Sequence, residues 1–345
     1  MRINYIYRIF FLFLSVLFIN AGCISQTLIA KGDTLYMHGK LPEAKQMLTK
    51  AIEKYPDSAM AYYLRASVEL RMHSEDLAMQ DYNKAIELQL KPKYLAEAYE
   101  GMGDIYVNKK DYDAAIEMDN KSIAISPGNW EAYSNRAGEK LSKGDYQAAL
   151  DDANMSIKIA PNKYTPYNIR GSIEFYYVHD TMAAMKDYSY CITNDSNNIT
   201  PYYGRARVEI AVKDYAGALK DMNNAILKDA AHSNLAYIYR GNVKEKMKDT
   251  AGAINDYSQA ISLDTNFPVG YFDRGCLEEA LKKYNEAVGD YSKAMKIYPT
   301  YIPYYLHRGI CFNLTGHKDE GCADLHKALS MGEVKASDLI IKYCK

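Results

Sequence analysis

A motif that recurs every 34 to 37 residues constrains the fold of this 345-residue chain more than any other feature. It consists of Tyr-x-x-Arg followed by Gly or Ala, a connecting stretch, and then Ala-x-x-Asp-Tyr-x-x-Ala-Ile. A small residue marks the second half of each copy: Ala44, Ala78, Ala115, Ala149, Ala184, Ala218, Ala253, Ala287 and Gly321. A repeat of this length cannot bury an apolar face alone, so we expect nine repeats to stack between about Ser25 and about Val334.

Each copy of the motif contains two amphipathic helical stretches. In one repeat, the first stretch covers residues 129–141 and is followed by Gly144, and the second covers residues 146–159 and ends before Pro161. Small residues recur where two helices would approach closely: Gly171, Gly241, Gly275 and Gly309 in first helices, and Ala149, Ala218 and Ala253 in second helices. The pattern predicts an all-α fold built from pairs of helices.

The period, the paired helices and these residues resemble the tetratricopeptide repeat, whose pattern is W-x2-L-G-x2-Y, A-x3-F and a final Pro. Tyr stands here in place of Trp, and Arg replaces Leu in most repeats. The resemblance covers about nine tenths of the chain and implies a right-handed superhelical solenoid. In that family the first helices line a concave groove that holds an extended peptide or a partner helix.

Comparison of the repeats with one another predicts a set of ion pairs. Seven repeats carry Arg in the first helix, and the same seven carry Asp in the second. The predicted pairs are Arg65 with Asp81, Arg136 with Asp152, Arg170 with Asp187, Arg205 with Asp221, Arg240 with Asp256, Arg274 with Asp290, and Arg308 with Asp324. The third repeat has Met102 and Met118 instead, which favours pairing within a repeat. A shared ancestral motif that drifted together is the alternative interpretation.

The third repeat is also irregular in two other respects. A longer connection that contains Pro92 precedes it, and Asp119 occupies a position that usually holds an aromatic residue. A buried carboxylate without a partner is costly. We therefore expect this second helix to be rotated or its end to be exposed, with a local kink or weak point in the solenoid.

The resemblance places eight side chains in the groove. They are Tyr63, Asp104, Asn168, Ser172, Tyr203, Arg207, Asn242 and Phe272. Aromatic anchors mixed with amides suit a peptide or a glycan, whereas the alternative is an ordinary solvated helix surface. A related subclass clamps a chaperone's C-terminal carboxylate with paired Lys and Asn, but the corresponding positions hold Ile238 with Asn242 and Phe272 with Cys276. The sequence argues against that clamp.

The N-terminus predicts a bacterial signal peptide over residues 1–24. Arg2 and Arg8 flank the start, and the apolar stretch Ile9–Ile19 is too short for a comfortable membrane span. Small residues precede Cys23, as in a lipoprotein signal whose Cys becomes lipidated. Ordinary cleavage to a soluble exported chain and an uncleaved anchor are the alternatives. All three interpretations place the mature chain outside the cytoplasm, in the periplasm or at the outer membrane.

Charge and motif content exclude several other function classes. The net charge is −1, with 42 basic and 43 acidic residues, whereas nucleic-acid binding needs a clustered basic surface. Motifs for phosphate loops, serine hydrolases and zinc proteases are lacking, so we expect neither an enzyme nor a cofactor.

The cysteines leave one possible metal site. Five follow Cys23, and this odd number favours buried thiols over a disulfide framework. His307, Cys311, Cys322 and His326 have zinc-ligand spacing. We prefer helix packing to zinc or to a Cys311–Cys322 disulfide, and expect residues 335–345 to form a capping helix.

The sequence therefore predicts a non-enzymatic interaction scaffold of the bacterial cell envelope. It would bind a peptide or partner protein in the groove. The alternative is an envelope protein that captures a glycan or a peptidoglycan fragment.

Overall fold

The computed structural model describes residues 27–345, and every regular element in that range is helical. The helices are α1 (27–37), α2 (Leu41–Lys54), α3 (Ala59–Arg71), α4 (Glu75–Glu87), α5 (Pro92–Asn108), α6 (Tyr112–Ile125), α7 (Trp130–Lys143), α8 (Tyr146–Ile159), α9 (Thr165–Ile173), the π-helical segment Glu174–Val178, α10 (Thr181–Asn194), α11 (Thr200–Ala211), α12 (Tyr215–Lys228), α13 (Asn234–Lys246), α14 (Thr250–Leu263), α15 (Pro268–Ala280), α16 (Tyr284–Ile297), α17 (Ile302–Leu314), α18 (Lys318–Ser330) and α19 (Lys335–Tyr343). The predicted all-α class is confirmed.

The chain divides into two compact segments, an N-terminal segment that ends at Ile173 and a C-terminal segment that begins at Glu174. In the N-terminal segment, α3 packs on α4, α5 on α6, and α7 on α8. In the C-terminal segment the corresponding pairs are α11 with α12, α13 with α14, α15 with α16, and α17 with α18. Helix-turn-helix repeats therefore build both segments. The predicted signal peptide, including Cys23, lies outside the described residues.

Short turns and side-chain caps define each helix pair. The first helix of a pair ends on a residue in the left-handed conformation, such as Gly144 with φ 84° or Lys213 with φ 65°. An Asp then begins the second helix in five cases: Asp111, Asp145, Asp180, Asp214 and Asp249. Each Asp side chain accepts a hydrogen bond from a backbone N–H of the first turn, which would otherwise lack a partner.

Glycines in the first helices make room for tyrosines of the second helices. A Cβ atom on Gly241 would lie 2.5 Å from the Tyr257 ring, and one on Gly275 would lie 2.9 Å from the Tyr291 ring. Both rings are fully buried. The recurring Gly and Tyr are therefore two halves of one packing contact, which accounts for part of the high tyrosine content.

A bidentate ion pair joins the two helices in most repeats. Arg65, for example, donates from Nε and Nη2 to the two carboxylate oxygens of Asp81 at 2.6 and 2.9 Å. The same geometry holds for Arg136 with Asp152, Arg205 with Asp221, Arg240 with Asp256, Arg274 with Asp290, and Arg308 with Asp324. Arg170 and Asp187 belong to different segments, so that seventh pair stays a prediction. Met102 and Met118 lie together in one core cluster.

Each of these arginines also reaches back to the preceding repeat. The Nη1 group of Arg274 donates to the Ser258 hydroxyl at 2.9 Å, and that of Arg308 donates to the Ser292 hydroxyl at 3.0 Å. Equivalent acceptors are Thr49, Asn120, Asn154, Ser189 and Asn223. The sequence comparison missed this partner, which in most repeats lies two positions after the Asp. We call the Arg, its Asp and this polar residue the arginine clasp.

Two predictions about the third repeat are wrong. Pro92 does not lie in a long connection, because it begins α5, where proline fits the first helical turn without loss of a hydrogen bond. Asp119 does not escape burial either, since it is 1% exposed within the continuous helix α6. The way in which the protein tolerates this carboxyl group is described below.

The C-terminus corrects the interpretation of the cysteines. Cys344, directly after α19, forms a disulfide with Cys322 on α18. Cys311 is instead a buried free thiol, and the His307 ring contacts Glu279. The four candidate zinc ligands therefore do not assemble, and the odd number of cysteines conceals one real disulfide. It fastens α19 to the last helix pair.

We expect loss of one clasp partner to cost more than loss of both. Arg308→Met leaves the buried Asp324 carboxylate without its cation and should lower the free energy of unfolding by about 3–5 kcal/mol, whereas Arg308→Met with Asp324→Leu should cost far less. Urea denaturation of the two single variants and the double variant measures the coupling. Additive losses would contradict the clasp.

We also expect the Cys322–Cys344 disulfide to stabilise the chain by about 3 kcal/mol, because it closes a loop in the unfolded state. Denaturation with and without reductant measures this difference. The control is Cys322→Ser with Cys344→Ser, which should be insensitive to reductant. Equal stability of the wild-type protein under both conditions would overturn the assignment.

Candidate functional site

The eight predicted groove residues all lie on first helices, distributed over the two segments. In the N-terminal segment, Tyr63 lies on α3, Asp104 on α5, and Asn168 and Ser172 on α9; in the C-terminal segment, Tyr203 and Arg207 lie on α11, Asn242 on α13, and Phe272 on α15. Their surroundings differ strongly. Some of these side chains are packed against neighbouring side chains, and others expose a charged group to solvent.

Arg207 is the centre of an aromatic cluster in the C-terminal segment. Its guanidinium donates from Nη1 to the Tyr176 hydroxyl at 2.7 Å and from Nη2 to the Tyr239 hydroxyl. It lies 5.8 and 4.9 Å from the centroids of the same two rings, and Tyr203 contacts the Tyr239 ring at 5.8 Å. Arg207 is exposed. Phenol oxygens are neutral acceptors, so they orient the guanidinium but leave its charge uncompensated.

The sequence did not reveal Tyr176 and Tyr239 as members of this cluster. Tyr176 lies in the π-helical segment Glu174–Val178, and such segments frequently mark functional sites. Tyr176 follows the repeat arginine Arg170 of its own helix. In the other first helices, the residue at the same distance after the repeat arginine is not aromatic, so the repeat pattern carries no signal for Tyr176.

Phe272 and Asn242 serve mainly as walls of the surface. Phe272 packs against the rings of Tyr291, Tyr304 and His307 at 5.3 to 5.9 Å. The Tyr257 hydroxyl lies 2.7 Å from the side-chain oxygen of Asn242 and donates to it. These contacts fix the aromatic side chains and leave little freedom for either residue to rearrange around a ligand.

Carboxylates lie beside these walls. Burial acts to raise the pKa of Glu279, but hydrogen bonds from His307 at 2.9 Å and Tyr291 at 2.7 Å hold it below its usual value. Burial and the nearby Glu245 raise the pKa of Asp273 to about 6. The surface of the C-terminal segment therefore carries a cation at Arg207 on α11 and carboxyl groups two repeats further along, on α15.

Tyr63 forms a wall of a cavity in the N-terminal segment. It is only 9% exposed, and its hydroxyl donates to Glu97 at 2.5 Å. Its ring packs between Tyr82 and Tyr94. The cavity has a volume of about 640 Å³ and is lined by residues of α1, α3 and α5, including Tyr36. Tyr63 thus lines this cavity, but only a small part of its side chain is accessible to a ligand.

The remaining predicted residues differ in what they offer to a ligand. Asp104 is exposed and lines cavities of about 330 and 500 Å³. The Ser172 hydroxyl donates to the backbone carbonyl of Asn168, one helical turn earlier, at 3.1 Å. Asp104 is therefore the predicted residue of this segment that offers a charge to solvent.

The described thiols are poor nucleophiles. Burial raises the pKa of Cys191 and of Cys311 to about 12, and that of Cys276 to about 11. Thiols with such values stay protonated at neutral pH, and nucleophilic catalysis needs the thiolate. In residues 27–345, no cluster of three or more His, Cys, Asp or Glu side chains has a metal-binding arrangement.

Family models of the tetratricopeptide repeat match residues 29–94, 96–129 and 270–301. Hsp70-Hsp90 organizing protein 1 of Glycine max is 31% identical over 101 residues, which cover 29% of this chain and 17% of that protein. The mitochondrial import receptor subunit TOM70 of Homo sapiens is 31% identical over 108 residues, which cover 30% of this chain and 17% of the receptor. The matched regions are thus a small part of these relatives.

Solved structures share the fold. A chain of the APC/C hetero-tetramer Cut9-Hcn1 superposes with a TM-score of 0.62 at 16% identity, over 82% of this chain and 55% of that chain. A tetratricopeptide repeat protein from Parabacteroides merdae superposes with a TM-score of 0.55 at 19% identity, over 72% of this chain and 99% of that chain. Together with the paired helices, these matches show that the chain is a tetratricopeptide-repeat protein with an all-helical solenoid fold.

Proposed function

We propose that this protein is a non-enzymatic interaction scaffold of the bacterial cell envelope. It binds an extended peptide segment of a partner protein across the first helices of the C-terminal segment. The observation that carries the proposal is Arg207, an exposed cation held by two tyrosine hydroxyls. Among the ion pairs of the described residues, none includes this guanidinium.

The geometry around Arg207 suits a carboxylate of the partner. The phenol hydroxyls fix the plane of the guanidinium, and its remaining N–H groups are available to form a fork with two carboxylate oxygens. Tyr203 and Tyr239 provide rigid aromatic surface beside it, and tyrosine and arginine are typical of residues that dominate binding energy. A peptide that bears an acidic side chain or a C-terminal carboxylate is therefore the best match.

This arrangement differs from a chaperone carboxylate clamp. Four relatives are named Hsp70-Hsp90 organizing proteins, but the sequence positions expected for clamp lysines hold Ile238 and Phe272. Ile238 is buried, and Phe272 packs among aromatic rings. The cation comes instead from Arg207, so the partner need not resemble the ligand of those relatives.

Two features support an extracytoplasmic location. One is the predicted signal peptide over residues 1–24 with Cys23 as its lipidation site. The other is the Cys322–Cys344 disulfide, because disulfides persist in oxidising compartments such as the periplasm. None of the described helices is long and apolar enough to cross a membrane. A lipid on Cys23 would supply the membrane attachment.

Replacement of Arg207 should weaken partner capture. We expect Arg207→Ala to weaken binding about 10- to 100-fold, because the partner's carboxylate loses a charge-assisted fork. Immobilised wild-type and variant proteins are exposed to detergent-solubilised envelope, and captured proteins are quantified by mass spectrometry. Lys186→Ala removes an exposed cation from the second helix α10 and serves as the control.

Equal capture by the wild-type and Arg207→Ala proteins would contradict the proposed surface. A glycan array run in parallel tests the alternative function. Saturable glycan binding that Arg207→Ala leaves intact, without any captured protein, would favour capture of a glycan or peptidoglycan fragment.

Substitution of Cys23 tests the envelope location. We expect the wild-type chain in the membrane fraction of a bacterial host and the Cys23→Ala chain in the soluble periplasmic fraction, since a lipid chain partitions into the bilayer. Fractionation with immunodetection measures both. A wild-type chain in the soluble periplasm would rule out the lipid anchor, and one in the cytoplasm would rule out export.

A further inference from the structure

The third repeat replaces an apolar packing residue with a buried acid. The position directly after the clasp Asp holds a large or apolar side chain elsewhere, such as Tyr82, Met222, Tyr257 or Tyr291, whereas α6 carries Asp119 there. Asp119 is 1% exposed, and no described N–H or hydroxyl group donates to its carboxylate oxygens, whose hydrogen-bond partner is the neighbouring Glu139 carboxyl group. A buried acid without a donor is expensive, so it requires a physical explanation.

Three further acids surround Asp119. Glu139 on α7 is 4% exposed, and its Oε2 atom also lacks a donor within the described part of the chain. Glu100 and Asp104 project from α5 and act electrostatically on Asp119. We call Glu100, Asp104, Asp119 and Glu139 the acidic pit. Asp104 is exposed at its rim, whereas Asp119 lies at its base.

The nearby cations are already engaged elsewhere. The Arg136 guanidinium is held by both oxygens of Asp152, and the Lys140 ammonium group lies 2.8 Å from the same carboxylate. Glu100 is the one acid of the pit with donors of its own, since the Ser122 hydroxyl donates to it at 3.0 Å and the Asn129 amide also contacts it. No described cation is therefore free to pair with the carboxyl groups of the pit.

We propose that the acidic pit is a binding site for the cationic side chain of a lysine or arginine in a partner peptide. A cavity of about 330 Å³ opens beside it, lined by Asp104 and Glu139 together with Ser134 and Asn135. A long flexible side chain can carry its charge through this opening to Glu139. The inference rests on the proposed peptide-binding function but concerns a different surface from that of Arg207.

A peptide cation fits this site better than a metal ion. Metal ions take several carboxylate ligands at once, and the described residues contain no group of three or more acids, histidines or cysteines arranged for that purpose. Glu139 and Asp104 line the cavity and Asp119 does not, so an incoming charge meets the first two carboxyl groups. An ammonium or guanidinium group can be satisfied by those two carboxylates and the neighbouring polar lining.

When no ligand is bound, the carboxyl groups of Asp119 and Glu139 tend to keep their protons. Burial and the adjacent Glu139 raise the pKa of Asp119 to about 9, and burial raises that of Glu139 to about 7. Asp104 also acts to raise the pKa of Glu139, whereas Arg136 acts to lower it. A bound cation favours the charged carboxylates, so binding releases protons and strengthens as the pH rises through about 7.

Short peptides test the site without knowledge of the natural partner. Acetyl-Ala-Lys-Ala-amide and its arginine analogue are titrated into the full mature chain, with the norleucine analogue as the uncharged probe. We expect the cationic peptides to bind saturably and the norleucine peptide to bind about tenfold more weakly. Calorimetry in two buffers should show proton release at pH 7.

Two variants and a matched control locate the binding. Glu139→Gln and the rim variant Asp104→Asn should each weaken the lysine peptide about tenfold, and Glu139→Gln should also remove most of the proton release. Glu117→Gln removes an exposed acid of α6 and should change neither. Circular dichroism shows whether each variant is folded. If Glu139→Gln does not fold, Asp104→Asn still tests the site.

Equal binding of the lysine and norleucine peptides would overturn the proposal. Undiminished binding of the lysine peptide to both Glu139→Gln and Asp104→Asn would overturn it as well, as would saturable binding of Ca²⁺ alone with no binding of the cationic peptides. The Arg207→Ala variant should bind the lysine peptide normally. If the lysine peptide does not bind the acidic pit but partner capture still depends on Arg207, the proposed function is retained and only this inference is rejected.

Discussion

The buried clasp carboxylate is the constraint on which the rest of the structure depends. An Asp such as Asp256, fully buried between helices, is tolerable only if a cation reaches it with good geometry, because an isolated buried charge is strongly destabilising. Arg240 from the first helix of the same repeat supplies that cation, joined by Lys244 at 2.8 Å, and the Nη1 group of the arginine binds the preceding second helix. Three helices are thus fixed by one side chain, and adjacent repeats must stack in register.

The clasps and the Gly–Tyr contacts occur in most repeats. They therefore account for how the repeats fold and stack, but they do not distinguish one part of the surface as a binding site. The chemistry available for recognition lies where a repeat departs from the pattern. In the third repeat the clasp pair becomes Met102 and Met118, and the neighbouring position becomes Asp119. In the C-terminal segment the π-helical segment brings Tyr176 to Arg207. The first departure groups acids without a matching cation, and the second leaves the charge of Arg207 without a matching anion.

The sequence predicts the helices and the Arg and Asp of the clasp, because their spacing and covariation recur within one chain, but it misses the polar residue of the preceding repeat. It does not reveal Cys322–Cys344, since that pairing depends on how α19 folds back over α18. It also misjudges Asp119, because a carboxyl group can stay buried by keeping its proton, and protonation is set by three-dimensional neighbours. Tyr63 is more buried than a groove residue would be, because the extended start of α5 places Tyr94 against it.

The central claim is that each clasp couples neighbouring repeats, and one double-mutant cycle across a repeat boundary tests it most directly. Ser258 and Asp290 belong to adjacent repeats and share Arg274. Stabilities of Ser258→Ala, Asp290→Asn and the combined variant are measured by chemical denaturation. The account predicts a coupling energy of at least about 0.5 kcal/mol between these two positions. Additive effects, within about 0.3 kcal/mol, would contradict it.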